Sequence, residues 1–338
     1  FYDKRPMLIP RQHVLEVRER MDAKGNVVTP LDPASVATAV DKVAEAGVES
    51  VAVCLINSHA NGAHEQEVAA ALATAAPHLE VSVSSEILPR IGEYERTSTT
   101  VINSYVMPIV RRYLDSLSER LRKARIPGPL FIMQCGGGLT TVEQARAQPV
   151  SLIESGPAAG VLAAVGIVSS ANHPNLLTFD MGGTSAKASI IEDGEVLKTT
   201  DYEVGGAISA TARLTGGGGY PINIPVIDVA EVGAGGGSIA WIDDGGSLRV
   251  GPGSAGANPG PACYGGGGEE PTVTDANLIL GYLNPDAIAG GAIAIDQDLA
   301  ERALKERIAD PLGLDLMEAA HGIHLIANSE MMGAIRAV

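Results

Sequence analysis

Hydrophobic and polar positions in the first third of the chain alternate between helical and strand-like periods. Residues 33–46 have helical spacing and are followed by Gly47, a typical helix stop. Residues 48–56 form an almost continuous apolar run, as expected of a buried parallel strand. An Ala-rich helical segment at 61–76 and a short strand at 79–84 come next. The pattern predicts β/α architecture, with too few strands here for a complete sheet.

The longest helical pattern runs over residues 97–124, where apolar residues recur at three- and four-residue steps and form one wide face. Pro108 lies inside this pattern and predicts a kink or a break. Because a long helix between two β/α regions suits a domain connector, we place a boundary near residue 104. The predicted domains are therefore 1–104 and 105–338.

The centre of the chain predicts three short strands joined by two tight turns. An apolar strand that begins at Leu176 ends at Asp180, and a Gly-Gly-Thr-Ser turn leads into a second strand. Asp193-Gly194, a strong hairpin signal, separates that strand from a third. A carboxylate at a strand end, beside glycines and hydroxyls, is a pattern that holds a metal-bound phosphate.

The first of these turns supplies the first set of candidate site residues. Glycines let backbone N–H groups approach phosphate oxygens, hydroxyls donate further hydrogen bonds, and a carboxylate binds Mg²⁺ or a water molecule. We therefore expect Asp180 to be catalytic and to bind Mg²⁺ through a water molecule. The predicted phosphate-binding residues are Gly182, Gly183, Thr184 and Ser185. The pattern indicates an ATP-binding protein; a tight hairpin that happens to contain Asp and Gly is the alternative.

A second candidate loop lies in the segment 205–268, which holds half of the chain's 40 glycines and is expected to consist of loops. It follows a predicted strand at 222–229, and Asp228 and Glu231 could supply carboxylate chemistry. The residues expected to line the nucleotide or the substrate are Gly235, Gly236, Gly237 and Ser238. The alternative is a flexible turn.

Two histidines, His59 and His64, flank an Asn-rich segment and are followed by Glu65. On a helix, residues five apart point in different directions, so a metal pair requires a loop here. Such a loop would allow zinc or manganese binding. His321 and His324 share a helix face without a third carboxylate ligand nearby, and we expect them to be surface or core residues.

Composition narrows the class of protein. A length of 338 residues suggests two domains, and a formal charge of −16 argues against non-specific binding to nucleic acid but not against ATP. The three cysteines are far apart and lack ligand spacing, which suits a reducing compartment. No signal peptide is visible and no apolar run reaches the ~20 residues that cross a bilayer, so we expect a cytoplasmic protein without membrane partners. The chain starts without methionine and ends in a helical pattern, which suggests a fragment.

Several motifs spread along the chain resemble the hydantoinase/oxoprolinase alpha-subunit family (hydantoinase A type) of the actin-like ATPase superfamily. The segments that carry the resemblance are 57–61 with 64–65, 93–100, 155–160, 180–185, 233–240, 250–257, 259–265 and 271–277. The resemblance implies an α/β actin-like ATPase (ribonuclease-H-like) fold, with a partial first domain and most of a second. Residues 1–104 would then be the C-terminal part of the family's N-terminal domain, and 105–338 its core domain, truncated at the C-terminus.

The resemblance also implies a reaction: ATP- and Mg²⁺-dependent opening of a cyclic amide such as a hydantoin, N-methylhydantoin, a lactam or 5-oxoproline. ATP would phosphorylate the amide oxygen, and a beta-type (hydantoinase B) subunit or domain would act as partner in a hetero-oligomer. One alternative is a subunit of an ATP-dependent ketone carboxylase of the acetone or acetophenone type. Another is a non-enzymatic nucleotide-binding assembly module.

Two departures from the family pattern bear on these expectations. Family members carry an earlier phosphate loop that is absent here, so we expect the chain alone to hold half of the phosphate site and to hydrolyse ATP weakly or not at all. Many relatives also have Thr-Asp-Val where this chain has Ala186-Lys187-Ala188. That difference favours a hydantoin or lactam over 5-oxoproline. Lys187 could point to the cleft or to solvent.

Overall fold

The structure of the protein is a computed structural model. It describes residues 6–171, 173–200, 202–205, 219–286 and 294–338. The described helices are α1 (Pro33–Ala46), α2 (Ala63–Ala75), α3 (Ser84–Ile87), α4 (Glu93–Lys123), α5 (Val142–Ala147), α6 (Ser155–Ala171), α7 (Val273–Ile279), α8 (Gln297–Leu304), α9 (Asp310–Leu312) and α10 (Leu316–Arg336). A π-helical turn, Lys305–Ala309, joins α8 to α9.

The described strands are short and form several small sheets. They are β1 (Arg20–Met21), β2 (Val27–Thr29), β3 (Ser50–Val53), β4 (Glu80–Val83), β5 (Phe131–Met133), β6 (Leu139–Thr141), β7 (Leu176–Met181), β8 (Ala186–Glu192), β9 (Glu195–Val196), β10 (Lys198–Thr199), β11 (Tyr202–Val204), β12 (Tyr220–Ile222), β13 (Val226–Ile227), β14 (Ala230–Val232), β15 (Ser238–Ile242) and β16 (Leu248–Ser254).

The chain divides into two compact units. The first contains the residues up to Leu162, together with a segment that starts at Lys198 and one that ends at Ile227. The second contains Ala163–Leu197 and Asp228–Val338. The boundary near residue 104 that the sequence suggests, with domains 1–104 and 105–338, stays a prediction about family modules. Within the described residues, no helix is long and apolar enough to span a bilayer.

The first unit confirms the predicted β/α pattern. Helix α1 has the predicted bounds, with Asp32 accepting a hydrogen bond from the N–H of Ala34 at its start and Gly47 in the left-handed conformation (φ 61°) at its end. Strands β3 and β4 pair in parallel, and α2 provides the crossover between them. The core is built largely from valines and leucines of α1, β3 and α2, including Val40, Val53 and Leu72.

Helix α4 is 31 residues long and continues through Pro108. Of the predicted kink or break at this proline, the break does not occur, and the kink stays a prediction. Only part of the predicted apolar face is covered. Ile102 and Leu114 are buried, whereas Tyr105 and Ile109 are exposed. Periodicity therefore predicted the helix correctly but overestimated how much of it packs against the unit.

A buried network of charged and polar groups fixes the start of α4. The carboxylate of Glu65, fully buried on α2, accepts hydrogen bonds from the N–H of Leu55 (2.7 Å), the hydroxyl of Ser84 (2.7 Å) and the N–H of Ser85 (2.8 Å). Arg96, also buried, donates to the Leu55 carbonyl (2.9 Å) and to the Ser84 hydroxyl (3.2 Å). Because each buried charge is hydrogen-bonded, the network ties two strand ends to two helices.

In the second unit, β8 is the centre of a sheet with the order β14–β8–β7, and β9 extends β8 through a hairpin. Asp193 and Gly194 both have positive φ (51° and 79°), as a type I′ turn requires. Ala186 and Ala188 are fully buried on one face of β8 and pack against Ala334 of α10. Their small side chains let the helix approach the sheet closely, which leaves the odd-numbered residues near the turn on the opposite face.

The glycine-rich segment departs from two expectations. The strand predicted at 222–229 is interrupted: this range contains the last residue of β12 and all of β13, and β14 begins just after it. Part of the segment expected to be loops contains an antiparallel hairpin, β15–β16, whose residues Ala240 and Val250 enter the largest core of the unit beside Ile323 of α10. Glycines here are compatible with strands because long-range packing stabilises the hairpin.

Replacing Glu65 by Gln is expected to destabilise the first unit by about 1–3 kcal/mol. The variant keeps the shape of the side chain but turns an NH₂ group toward donors that the carboxylate satisfies, which leaves at least one buried donor unpaired. Thermal unfolding followed by circular dichroism measures the loss. Glu67→Gln, on the exposed face of the same helix, is the matched control and should change stability little. Equal stability of the two variants would contradict a role for the network.

Candidate functional site

The predicted phosphate turn connects β7 to β8. The two strands pair in antiparallel register, with Asp180 opposite Lys187 and Met181 opposite Ala186. The turn is closed by a hydrogen bond from the N–H of Gly182 to the carbonyl of Ser185 (2.9 Å). This arrangement places the Asp180 side chain, which is exposed, at the end of the strand beside the turn.

Two backbone donors at the tip of this turn are open. Among the described residues, no acceptor is found for the N–H groups of Gly183 and Thr184, and both residues are exposed. A Cβ atom built at Gly183 would have nothing within 4 Å, so the space in front of the tip is clear. Adjacent open amides beside a carboxylate are a suitable donor set for a metal-bound phosphate.

The hydroxyl of Ser185, predicted to bind phosphate, is hydrogen-bonded to neighbouring side chains. Ser185 is buried and donates to Oε1 of Glu231 at 2.5 Å, while it accepts a hydrogen bond from Nζ of Lys187 at 2.9 Å. The same ammonium forms an ion pair with Oε1 of Glu231 at 2.6 Å. Three side chains that the sequence left unconnected therefore form one cluster beside the turn. Phosphate binding by Ser185 itself stays a prediction.

The second glycine loop lies directly against the phosphate turn. The N–H of Gly236 donates to the carbonyl of Gly182 (3.0 Å), and the N–H of Gly237 donates to the carbonyl of Gly183 (2.6 Å). The remaining donors of this loop are also occupied: the N–H of Gly235 bonds the Ser238 hydroxyl, and the N–H of Ser238 bonds the Gly235 carbonyl. The loop therefore supports the turn, and direct ligand contact by Gly235, Gly236, Gly237 and Ser238 stays a prediction.

Contact this close requires glycine at position 235. A Cβ atom there would lie 2.7 Å from both the carbonyl carbon and oxygen of Gly183 and 2.8 Å from the carbonyl oxygen of Gly182. Real Cβ atoms do not approach backbone this closely, so a side chain would push the two loops apart.

Behind the loop, Thr274 and Asp275 at the start of α7 fix its position. Thr274 donates its N–H (2.7 Å) and its hydroxyl (2.8 Å) to the carbonyl of Gly236. The fully buried carboxylate of Asp275 accepts from the N–H and hydroxyl of Thr272 and from the N–H of Cys263. Burial raises the pKa of the Cys263 thiol, and the nearby Asp275 charge raises it further, so this thiol is a structural group.

The two candidate metal-binding histidines have different partners. His64 is buried and pairs with Glu19, Nδ1 to Oε2 at 2.8 Å, while His59 lies 3.5 Å from the guanidinium of Arg96. Within the described ranges, no group of three or more His, Cys, Asp or Glu side chains is arranged to hold a metal ion. The structure thus does not bring His59 and His64 together on one ligand, and zinc or manganese binding stays a prediction.

Sequence reasoning located the turn and the loop but missed how they are joined. The direction of Lys187 could have been inferred from the neighbouring Ala186 and Ala188, because a strand with small buried residues on one face turns its alternate residue to the other. The partnership with Glu231 had no local signal, since the two residues are 44 positions apart.

Comparisons with known proteins agree with this architecture. The hydantoinase/oxoprolinase family pattern matches residues 96–338, and the pattern of its N-terminal region matches residues 1–75. The chain is 40% identical over 337 residues to the caprolactamase alpha subunit of Pseudomonas jessenii, covering all of this chain and 47% of the relative. It is 34% identical over 327 residues to 5-oxoprolinase of Saccharomyces cerevisiae, covering 92% of this chain and 24% of the relative.

Solved structures show the same similarity. A nucleotide-free structure of acetone carboxylase superposes with a TM-score of 0.83 at 29% identity, covering 97% of this chain and 45% of the other. The ATP-dependent caprolactamase of Pseudomonas jessenii superposes with a TM-score of 0.71 at 38% identity. The chain spans about half or less of the length of these relatives.

Fold and site together define an α/β protein with the actin-like ATPase fold, here represented by partial domains. The predicted fold class is therefore confirmed. The chain belongs to the hydantoinase/oxoprolinase family, as the resemblance of its motifs had implied.

Replacing Gly235 by Ala is expected to destabilise the second unit by about 1–3 kcal/mol, because the added methyl group would meet the backbone of the phosphate turn. Hydrogen exchange of peptides covering residues 236–237 should become faster in the variant, since the two inter-loop hydrogen bonds that their N–H groups donate lengthen. Gly253→Ala is the control, because a Cβ atom at Gly253 has nothing within 4 Å. Unchanged exchange and stability in Gly235→Ala would contradict the described packing.

Proposed function

We propose that this chain is part of an ATP-dependent enzyme that opens a cyclic amide. The observation that carries the proposal is the phosphate turn: the exposed carboxylate of Asp180 lies beside the open N–H groups of Gly183 and Thr184. Family membership and the 40% identity to a caprolactamase alpha subunit support the choice of substrate class. A lactam or hydantoin is the favoured substrate, and 5-oxoproline is a further candidate of the same class.

The residues of the turn have distinct roles in this proposal. The open amides of Gly183 and Thr184 and the hydroxyl of Thr184 bind phosphate oxygens, while the N–H of Gly182 closes the turn. Asp180 orients Mg²⁺ or a water molecule. Oxygen ligands of this kind fit Mg²⁺, which when bound would neutralise phosphate charge. Ser185 acts from behind the turn, where its hydroxyl is held by Glu231 and Lys187.

The chemistry explains why a nucleotide is needed. An unstrained ring amide is a poor electrophile, and transfer of the terminal phosphoryl group to its oxygen makes the amide carbon accept water. The new bond joins phosphorus to the amide oxygen, the bond from phosphorus to the bridging oxygen breaks, and ADP leaves. Water then adds to the carbon, and the ring C–N bond breaks as the nitrogen takes up a proton and leaves as an amine. A second water hydrolyses the resulting acyl phosphate to a carboxylate and free phosphate. A beta-type (hydantoinase B) subunit is the proposed partner, consistent with a relative named as an alpha subunit.

A ketone carboxylase subunit is the second candidate. Superposition on acetone carboxylase gives a higher TM-score (0.83) than superposition on caprolactamase (0.71), although sequence identity favours the latter. The two reactions share activation of an oxygen by a nucleotide phosphoryl group, so the phosphate turn serves both. Phosphate release stimulated by lactams and hydantoins, compared with release stimulated by a ketone plus bicarbonate, distinguishes them.

Replacing Asp180 by Asn in the full-length protein, co-expressed with its beta-type partner, is expected to lower substrate-stimulated phosphate release by about a hundredfold or more. The amide keeps the shape of the side chain but removes the charge that orients Mg²⁺ or water. Circular dichroism should show an intact fold, because Asp180 is exposed.

Asp193→Asn is the matched control for this experiment. Asp193 is an exposed carboxylate in the next turn of the same sheet, and asparagine tolerates its positive φ of 51°. The control should retain activity. If Asp180→Asn also kept nearly normal turnover, Asp180 would not be a catalytic residue.

A further inference from the structure

Three charged residues form a row across the central sheet of the second unit. Lys187 on β8 is directly opposite Asp180 on β7 and directly opposite Glu231 on β14. In antiparallel sheets, directly opposed residues lie on the same face, about 5 Å from each neighbour. The row therefore reads carboxylate, ammonium, carboxylate, on the face opposite the buried alanines of β8.

The ammonium of Lys187 is held on the Glu231 side of this row, and among the described residues it forms no ion pair with Asp180. It contacts Oε1 of Glu231 at 2.6 Å and the hydroxyl of Ser185 at 2.9 Å, and the Lys187 side chain is only 16% exposed. Since Glu231 is 22% exposed, this pair is shielded from solvent far more than an ordinary surface ion pair. The lysine is therefore a fixed charge of the site.

If the lysine were absent, a divalent ion at this position would balance the negative charge that the ammonium now balances. Carboxylate oxygens from adjacent strands are the ligands that Mg²⁺ and Mn²⁺ prefer, and a serine hydroxyl can complete such a set. With the ammonium present, a second cation at this position would meet repulsion at close range.

We propose that Lys187 is a built-in cation that takes the place of a divalent metal ion at the Glu231 carboxylate, beside Asp180 on the neighbouring strand, and so determines how many metal ions the site takes. The lysine neutralises Glu231 and holds the Ser185 hydroxyl, while Asp180 stays available beside the open amides of the turn. The inference rests on the register of three strands and does not depend on which reaction the enzyme performs.

Replacing Lys187 by Asp tests the proposal by converting the row into three adjacent carboxylates. The full-length variant should bind one Mn²⁺ more per chain than the wild type, without nucleotide, and roughly tenfold or more tighter than any wild-type binding at this position. Titration followed by the electron paramagnetic resonance signal of free Mn²⁺ measures the number of sites. The combination Lys187→Asp with Glu231→Gln should lose most of the gain.

Lys305→Asp is the matched control, because Lys305 is an exposed lysine on the π-helical turn and its replacement changes net charge equally. The control should bind Mn²⁺ as the wild type does. A Lys187→Asp variant that binds no additional Mn²⁺, or no more than Lys305→Asp, would overturn the proposal. If Lys187→Asp does not fold, Lys187→Met replaces it, with the same criterion: an additional Mn²⁺ supports the proposal, and none overturns it.

Discussion

The candidate site depends on the contact between two glycine-rich backbone segments. Gly236 and Gly237 donate their N–H groups to the carbonyls of Gly182 and Gly183, at distances that leave no room for a side chain at Gly235. This contact fixes the carbonyl side of the phosphate turn, so the amides at its tip face outward. Backbone held on one side by hydrogen bonds is preorganised for binding on the other, because little conformational freedom remains to be lost.

The rest of the second unit supports this contact. Thr274 holds the glycine loop from behind, and the buried carboxylate of Asp275 joins the start of α7 to the backbone of Cys263. On the sheet side, α10 packs closely because Ala186 and Ala188 are small. That packing decides which face of β8 is open and therefore places Lys187 and Ser185 beside Glu231. These contacts of the second unit thus all help to fix the conformation of the phosphate turn and its surroundings.

The first unit is stabilised by a different kind of interaction, a network of buried charged and polar groups. Its two polar motifs, around Glu65 and Arg96, are buried and bond each other through the hydroxyl of Ser84 and the backbone of Leu55. Buried charges of this kind are costly unless every group has a partner, so they specify one arrangement of loops and helix starts. The histidine at position 64 belongs to the same class of interaction, since it pairs with Glu19 rather than with His59.

Sequence alone determined the features that local chemistry controls. The bounds of α1, the hairpin at Asp193-Gly194 and the position of the phosphate turn follow from caps, turn residues and periodicity within a few positions. Tertiary structure decided the side of the sheet on which Lys187 lies, its pairing with Glu231 and the supporting role of the second glycine loop. These arise between segments about 45 to 55 residues apart, where packing of whole strands and helices, and no local preference, selects the partner.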